Sequence, residues 1–274
     1  MSTHSGEFIT SRITKVFDSL SSRSLSALIP FIVGGYPDYD TSLCILKGLP
    51  ARGADIIEIG MPFSDPFGDG LVIQEASGTA LRNGASINMI LNMVRDFRET
   101  NIHTPIVLMG YYNPVRAFGG HEFVHKAKQA GVDSFIIVDL PPEEDNVLFN
   151  YAANAGVNQV RLITPATTDK RLTSVVLPGA MGFMYYVTFQ GVTGTKTPDI
   201  PDVLSNISRI KKITKSMPIC AGFGVQSVEH ARSIASIADG VIVGSKIINI
   251  IKDSECIDNV FDFVQTLSSG LHSA

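Results

Sequence analysis

The stretch Glu58-Ile59-Gly60-Met61-Pro62-Phe63-Ser64-Asp65-Pro66-Phe67-Gly68-Asp69-Gly70 gathers three carboxylates, two prolines and three glycines where an apolar run breaks off. The run, Ala54 to Gly60, has the length and β-branched content of a buried strand. Alternate strand residues share a face, so Ile56 and Glu58 point one way and Ile57 and Ile59 the other. A carboxylate inside such a run is costly unless it is paired, protonated or in use. Asp65 and Asp69 follow in the loop. Acid groups at a strand end and on the next loop are placed to move protons around a small substrate. The competing readings are a salt-bridged core carboxylate at Glu58 and turn-forming aspartates at Asp65 and Asp69.

A second group of residues suits an anion. Gly222-Phe223-Gly224 and Gly244-Ser245 each follow a short apolar run. Glycine lets the backbone approach a ligand closely, and N–H groups at a helix start bind phosphate. Gly194 lies in a long glycine-bearing loop, Thr188 to Pro201, that is placed to close over such a pocket. Tight turns without a ligand are the alternative.

The elements that must position these residues alternate along the chain. Ile9, Ile13, Val16 and Leu20 recur at helical spacing and predict an opening amphipathic helix. Short apolar runs predict strands at Leu28–Val33, Ala54–Gly60, Pro105–Met109, Ser134–Val138, Gln159–Ile163, Gly182–Val187, Pro218–Ala221 and Gly240–Val243. Helical patterns lie between them, among them Ile73–Leu81, Ile87–Arg98 capped by Ser86, and Glu143–Ala155 with acidic residues in its first turn. Eight strands alternating with helices imply one (β/α)8 TIM barrel domain spanning residues 1–274, with an extra N-terminal helix and long loops after strands two and six. A doubly wound open sheet is the alternative. Barrel active sites lie at the strand C-termini, and the loops after strands seven and eight commonly hold phosphate. Both groups of residues fall there.

Composition narrows the function classes. The 274 residues are 45% hydrophobic and 18% charged, enough for a core and too few charges for disorder. Net charge is -4 and no basic block stands out, so neither nucleic acid nor an anionic membrane surface is an expected partner. Cys44, Cys220 and Cys256 are odd in number, far apart and outside any CxxC spacing, which implies reduced thiols in a cytoplasmic protein. The first twenty residues include Glu7, Arg12, Lys15 and Asp18 and no continuous apolar segment, so no secretory signal is expected. The long uncharged run Leu172 to Thr195 is broken by glycines and Pro178, and reads as a helix end, a strand and a loop. His121 and His125 stand four apart on a helical pattern, but away from the strand ends, which argues against a metal centre. A Schiff-base aldolase needs a lysine on an inward strand face; Lys196 and Lys246 fall in a loop and a helix start.

With these residues in place, the chain resembles the α subunit of tryptophan synthase from about Phe8 to the C-terminal helices. The most specific part is Glu58 through Pro66, followed by Asp69-Gly70. Supporting pieces are Pro30-Phe31 through Gly35-Tyr36-Pro37, Met109-Gly110-Tyr111-Tyr112-Asn113-Pro114, Gly191-Val192-Thr193-Gly194 and Ala221-Gly222-Phe223-Gly224. The resemblance implies a lyase of the closing steps of L-tryptophan biosynthesis. It cleaves indole-3-glycerol phosphate to indole and glyceraldehyde 3-phosphate, a retro-aldol reaction without a cofactor, and delivers indole to a pyridoxal-phosphate-dependent β subunit in an α-β-β-α assembly. By the same resemblance Glu58 shuttles the proton and Asp69 holds the indole N–H. Tyr185 orients the glycerol chain, Thr193 closes against Asp69, Gly194, Phe223, Gly224, Gly244 and Ser245 surround the substrate, and Asp65 faces the β subunit. Two departures bear on loop closure. The family commonly reads Ala-Asp-Gly-Pro where this chain has Gly68-Asp69-Gly70-Leu71, which predicts a looser loop, and Ser-Arg-x where it has Thr188-Phe189-Gln190. The rival functions are another phosphate-handling barrel enzyme, such as a sugar-phosphate isomerase or decarboxylase, and a non-catalytic subunit that binds a phosphorylated ligand to control a partner.

Overall fold

Runs of β-branched residues, too short for stable helices, line up side by side as parallel strands. The computed structural model describes residues 11–145, 147–187, 200–222, 224–254 and 256–272. Its strands are β1 Ala27–Val33, β2 Ile57–Gly60, β3 Ile106–Gly110, β4 Ser134–Ile137, β5 Asn158–Gln159, β6 Arg161–Ile163, β7 Met184–Val187, β8 Ile219–Gly222 and β9 Gly240–Val243. They form one sheet in the order β5-β4-β3-β2-β1-β9-β8-β7-β6, each paired parallel to its neighbour. The two ends of this order are adjacent in sequence. Val160 joins them and donates its N–H to the Phe135 carbonyl at 2.9 Å. β5 and β6 are thus two halves of one stave, and the sheet closes into the eight-stave barrel of the (β/α)8 fold.

Period two sorts the side chains into two layers. Ile29, Ile56, Val107, Ile136, Val160, Cys220 and Ile242 pack together inside the barrel. Leu28, Ile32, Ile57, Ile59, Ile106 and Leu108 belong to the outer core, against the helices. The helix Arg12–Ser21 presents Ile13, Phe17 and Leu20 to the inner cluster, so it plugs the end where the strands begin. Phe17 meets Phe183 with ring centroids 5.9 Å apart. Asp133, just before β4, ties this plug down. It accepts from Arg12 and Arg98, each at 2.8 Å, and from the Ile106 N–H at 2.8 Å.

Several expected boundaries move for identifiable reasons. The second strand is shorter, because Ala54 to Ile56 precede the ladder with β3. Pro50 ends the preceding helix in a 3-10 turn, Leu49–Arg52. Tyr112–Phe118 forms a helix not expected from sequence, its first N–H received by Asp139 at 2.7 Å. The helix expected from Glu143 is assigned only from Val147. Asp145 is instead buried ahead of it, where its carboxylate accepts from Arg161, Gln159 and the Phe149 N–H. The uncharged run at Leu172 holds the end of a helix and β7, as expected, while residues 188–199 lie outside the described residues. So does Ile9 of the opening helix. No described helix is long and apolar enough to cross a membrane.

Candidate active site

β2 brings Glu58 to the barrel interior. Its Cα pairs with Phe31 of β1 and Val107 of β3, and it shares the strand face of Ile56, which lies in the inner cluster. The residue is 1% exposed. Neither carboxyl oxygen has a hydrogen-bond partner among the described residues. Burial without a partner disfavours the charged form. It lifts the Glu58 carboxyl from 4.5 to about 8, and the nearby Asp69 charge adds to the rise. At neutral pH Glu58 therefore carries its proton. A salt-bridged core carboxylate is not what stands here.

Asp69 comes from the loop that follows. A turn closes with its N–H on the Pro66 carbonyl at 3.0 Å. Gln74, on the helix Leu71–Arg82, holds the Asp69 carbonyl at 2.8 Å. Burial raises the Asp69 carboxyl from 3.8 to about 6, and a hydrogen bond from Tyr111 opposes the rise. Asp69 is thus mostly ionised at neutral pH while Glu58 is mostly protonated. The two neighbouring carboxyls therefore differ in charge at neutral pH.

Tyr185, on β7, pairs with Cys220 of β8 and packs against the inner cluster. Burial, with the Glu58 charge second, pushes its phenol well above the usual range, so it stays protonated and able to donate. Gly222 makes room for it: a Cβ there would sit 2.8 Å from the Tyr185 Oη. At the same barrel end, Gly244 begins the helix Ser245–Asp253 with no side chain capping it, leaving first-turn N–H groups free of a cap acceptor. Gly224 has φ +58 and open space around it, a backbone shape that favours glycine. These are the features of an anion cradle.

The structure does not gather every expected residue. Asp65 is exposed, near the tip of the loop after β2, with Phe67 at 67% and Leu71 at 76% exposure on the same segment. Thr193, Gly194 and Phe223 lie outside the described residues. His121 and His125 are exposed on the helix Gly120–Ala130, their rings stacked at 6.4 Å. No group of three metal-ligating side chains occurs among the described residues. Lys246 sits in the first turn of its helix, off the strands. Tyr111, which meets the loop after β2, is a residue that sequence reasoning did not single out for the site. The signal was available in the alternation Val107, Met109, Tyr111, which carries the inner face of β3 to its C-terminal end.

A closed parallel barrel with one buried carboxyl on β2 and a second on the loop that follows it has the layout of a (β/α)8 enzyme. The family described as "Tryptophan synthase alpha chain" matches residues 17–271. Solved structures agree with that match. The tryptophan synthase subunit alpha of Legionella pneumophila str. Paris is 33% identical, with 96% of this chain and 99% of that one covered and a TM-score of 0.89. A Mycobacterium tuberculosis tryptophan synthase structure is 31% identical over 96% of this chain and 98% of that one, with a TM-score of 0.88. A structure from Aquifex aeolicus VF5 is 34% identical over 95% and 99%, also at 0.88. The chain belongs to the tryptophan synthase alpha chain family, lyases of tryptophan biosynthesis that act on indole-3-glycerol phosphate.

Proposed function

We propose that Glu58 and Asp69 divide the retro-aldol cleavage of indole-3-glycerol phosphate between them. Protonated Glu58 gives its proton to indole C3. Positive charge then spreads toward the indole nitrogen, and the Asp69 carboxylate, accepting from the N–H, stabilises it. The Glu58 carboxylate left behind takes the proton of the neighbouring glycerol hydroxyl. The carbon–carbon bond breaks, the hydroxyl becomes the aldehyde of glyceraldehyde 3-phosphate, and indole leaves with Glu58 protonated as at the start. Tyr185 orients the glycerol chain, and the Gly244-Ser245 helix start with Gly224 holds the phosphate. The β subunit is the partner that receives indole, in the α-β-β-α arrangement of the family. The exposed Asp65, Phe67 and Leu71 lie on the segment proposed to face it.

One observation carries this reading: an interior carboxyl on β2, fully buried with no partner of its own among the described residues, which raises its pKa. The test is Glu58→Gln. Indole release should fall by at least about 100-fold, the usual scale for losing a general acid–base group, while a non-cleavable indole phosphate still binds. Retained turnover sinks the assignment. Wild-type chain with no indole release, alone or with a matched β subunit, would favour a purely regulatory binder.

A further inference from the structure

At the barrel mouth, Tyr111 is a polar side chain that the acid–base scheme leaves idle. Tyr111 follows β3 and is 3% exposed. Its ring lies against both aromatic side chains of the loop after β2, at 5.4 Å from Phe63 and 5.5 Å from Phe67. Its Oη accepts the Gly68 N–H at 3.0 Å. That leaves the single phenolic hydrogen for the nearby Asp69 carboxylate, whose charged form Tyr111 favours. Gly68 permits the approach, since a Cβ there would crowd the Tyr111 Oη at 3.2 Å and Val138 at 3.1 Å. Asp139, accepting from the Tyr112 N–H, braces the next residue from the β4 side. One rigid strand end thus grips the loop at Phe63, Phe67, Gly68 and Asp69.

We infer that Tyr111 is a positioning residue for the lyase reaction, holding the loop after β2 and, through its phenolic hydrogen bond, aiming the Asp69 carboxylate at the indole N–H. This rests on the proposed role of Asp69. A hydrogen bond donated to a carboxylate favours its charged form, so Tyr111 also works against the burial that would neutralise Asp69. The aromatic contacts set where the loop lies; the hydroxyl sets which oxygen faces inward and in what state.

Tyr111→Phe separates these contributions, because it keeps the ring and removes only the hydroxyl. The readout is kcat/KM against pH for indole release, whose acid limb follows ionisation of Asp69 and whose alkaline limb follows loss of the Glu58 proton. Without the donated hydrogen bond, Asp69 should protonate more readily. The acid limb then moves up by about one pH unit, the rate at pH 6 falls several-fold, and the alkaline limb stays. A loop that had merely loosened would hydrate Asp69 and move the limb down. An acid limb that stays put or moves down overturns the inference. Asp69→Asn distinguishes this from failure of the underlying reading. If the acid limb persists in Asp69→Asn, the Asp69 role falls; if it vanishes there but does not rise in Tyr111→Phe, only the Tyr111 role falls.

Discussion

Replacing Glu58 by Gln should make the protein more stable at high pH as it destroys activity. Glu58 is 1% exposed, without a hydrogen-bond partner among the described residues, and its carboxyl is held at about 8 against 4.5 in an unfolded chain. A raised folded value means the folded state holds the proton more tightly than the unfolded state. The stability linked to that proton is fully present below about pH 4.5 and is lost as pH rises through about 8. One pKa unit is worth about 1.4 kcal/mol. The wild-type chain therefore gives up about 3 kcal/mol by pH 7 and about 5 kcal/mol by pH 9 relative to acid conditions. Gln has nearly the same shape and no charge to lose. Its amide is also buried, which costs about 1–3 kcal/mol if unpartnered, but that cost does not vary with pH. The informative quantity is the difference in unfolding free energy between Glu58→Gln and wild type, followed from pH 4 to pH 9 in urea. It should climb by several kcal/mol, with most of the climb between pH 5 and 8. In thermal melts the variant should gain roughly 2 °C per kcal/mol. A difference that is flat across this range would show that Glu58 ionises freely in the folded protein, and the proton-bearing acid at the barrel mouth would have to be abandoned.

Two further perturbations address the scaffold and the pocket wall. Asp133→Ala removes the acceptor shared by Arg12, Arg98 and the Ile106 N–H. It should cost about 3 kcal/mol, the low end of the range because Arg98 keeps the carbonyls of Asn101, Thr104 and Gly131; urea unfolding gives the value, and indole release at 25 °C should survive. Gly222→Ala places a methyl 2.8 Å from the Tyr185 Oη and 3.0 Å from Ile242 Cβ. Shifting Tyr185 should lower kcat/KM for indole release by up to about 100-fold, and an unchanged value would remove Tyr185 from the site.

Local pattern carried much of this protein. Eight apolar runs between helical stretches imply the barrel, because period two and period 3.6 are properties of neighbouring residues. The Glu58 stretch is legible for the same reason: a carboxylate within a strand run, then two aspartates on a loop, has few uses. Period two put Glu58 on the face of Ile56. It could not say whether that face looks into the barrel or out to the helices, since both layers are apolar. Closure through Val160 decided it, and with it the burial that keeps Glu58 protonated.

Gly68 and Leu71 stand where alanine and proline are commoner, which predicts a looser loop; the contacts that Tyr111 and Gln74 make with it at Gly68 and Asp69 are seen only in the fold. Turn propensity alone does not tell Asp65 and Asp69 apart; in the fold one is exposed near the tip and the other lies beside a tyrosine that follows the next strand. Asp145 reads as a helix-start acid and does accept the Phe149 N–H there, but its burial and its ion pair with Arg161 are visible only in the fold. The sequence by itself determined on which strand or loop Glu58, Asp65, Asp69 and Tyr185 fall, because that follows from spacing along the chain. Which carboxyl keeps its proton, which loses it and which meets only solvent depended on neighbours brought in from other strands. Desolvation and charge act through space, and only the closed barrel defines that space.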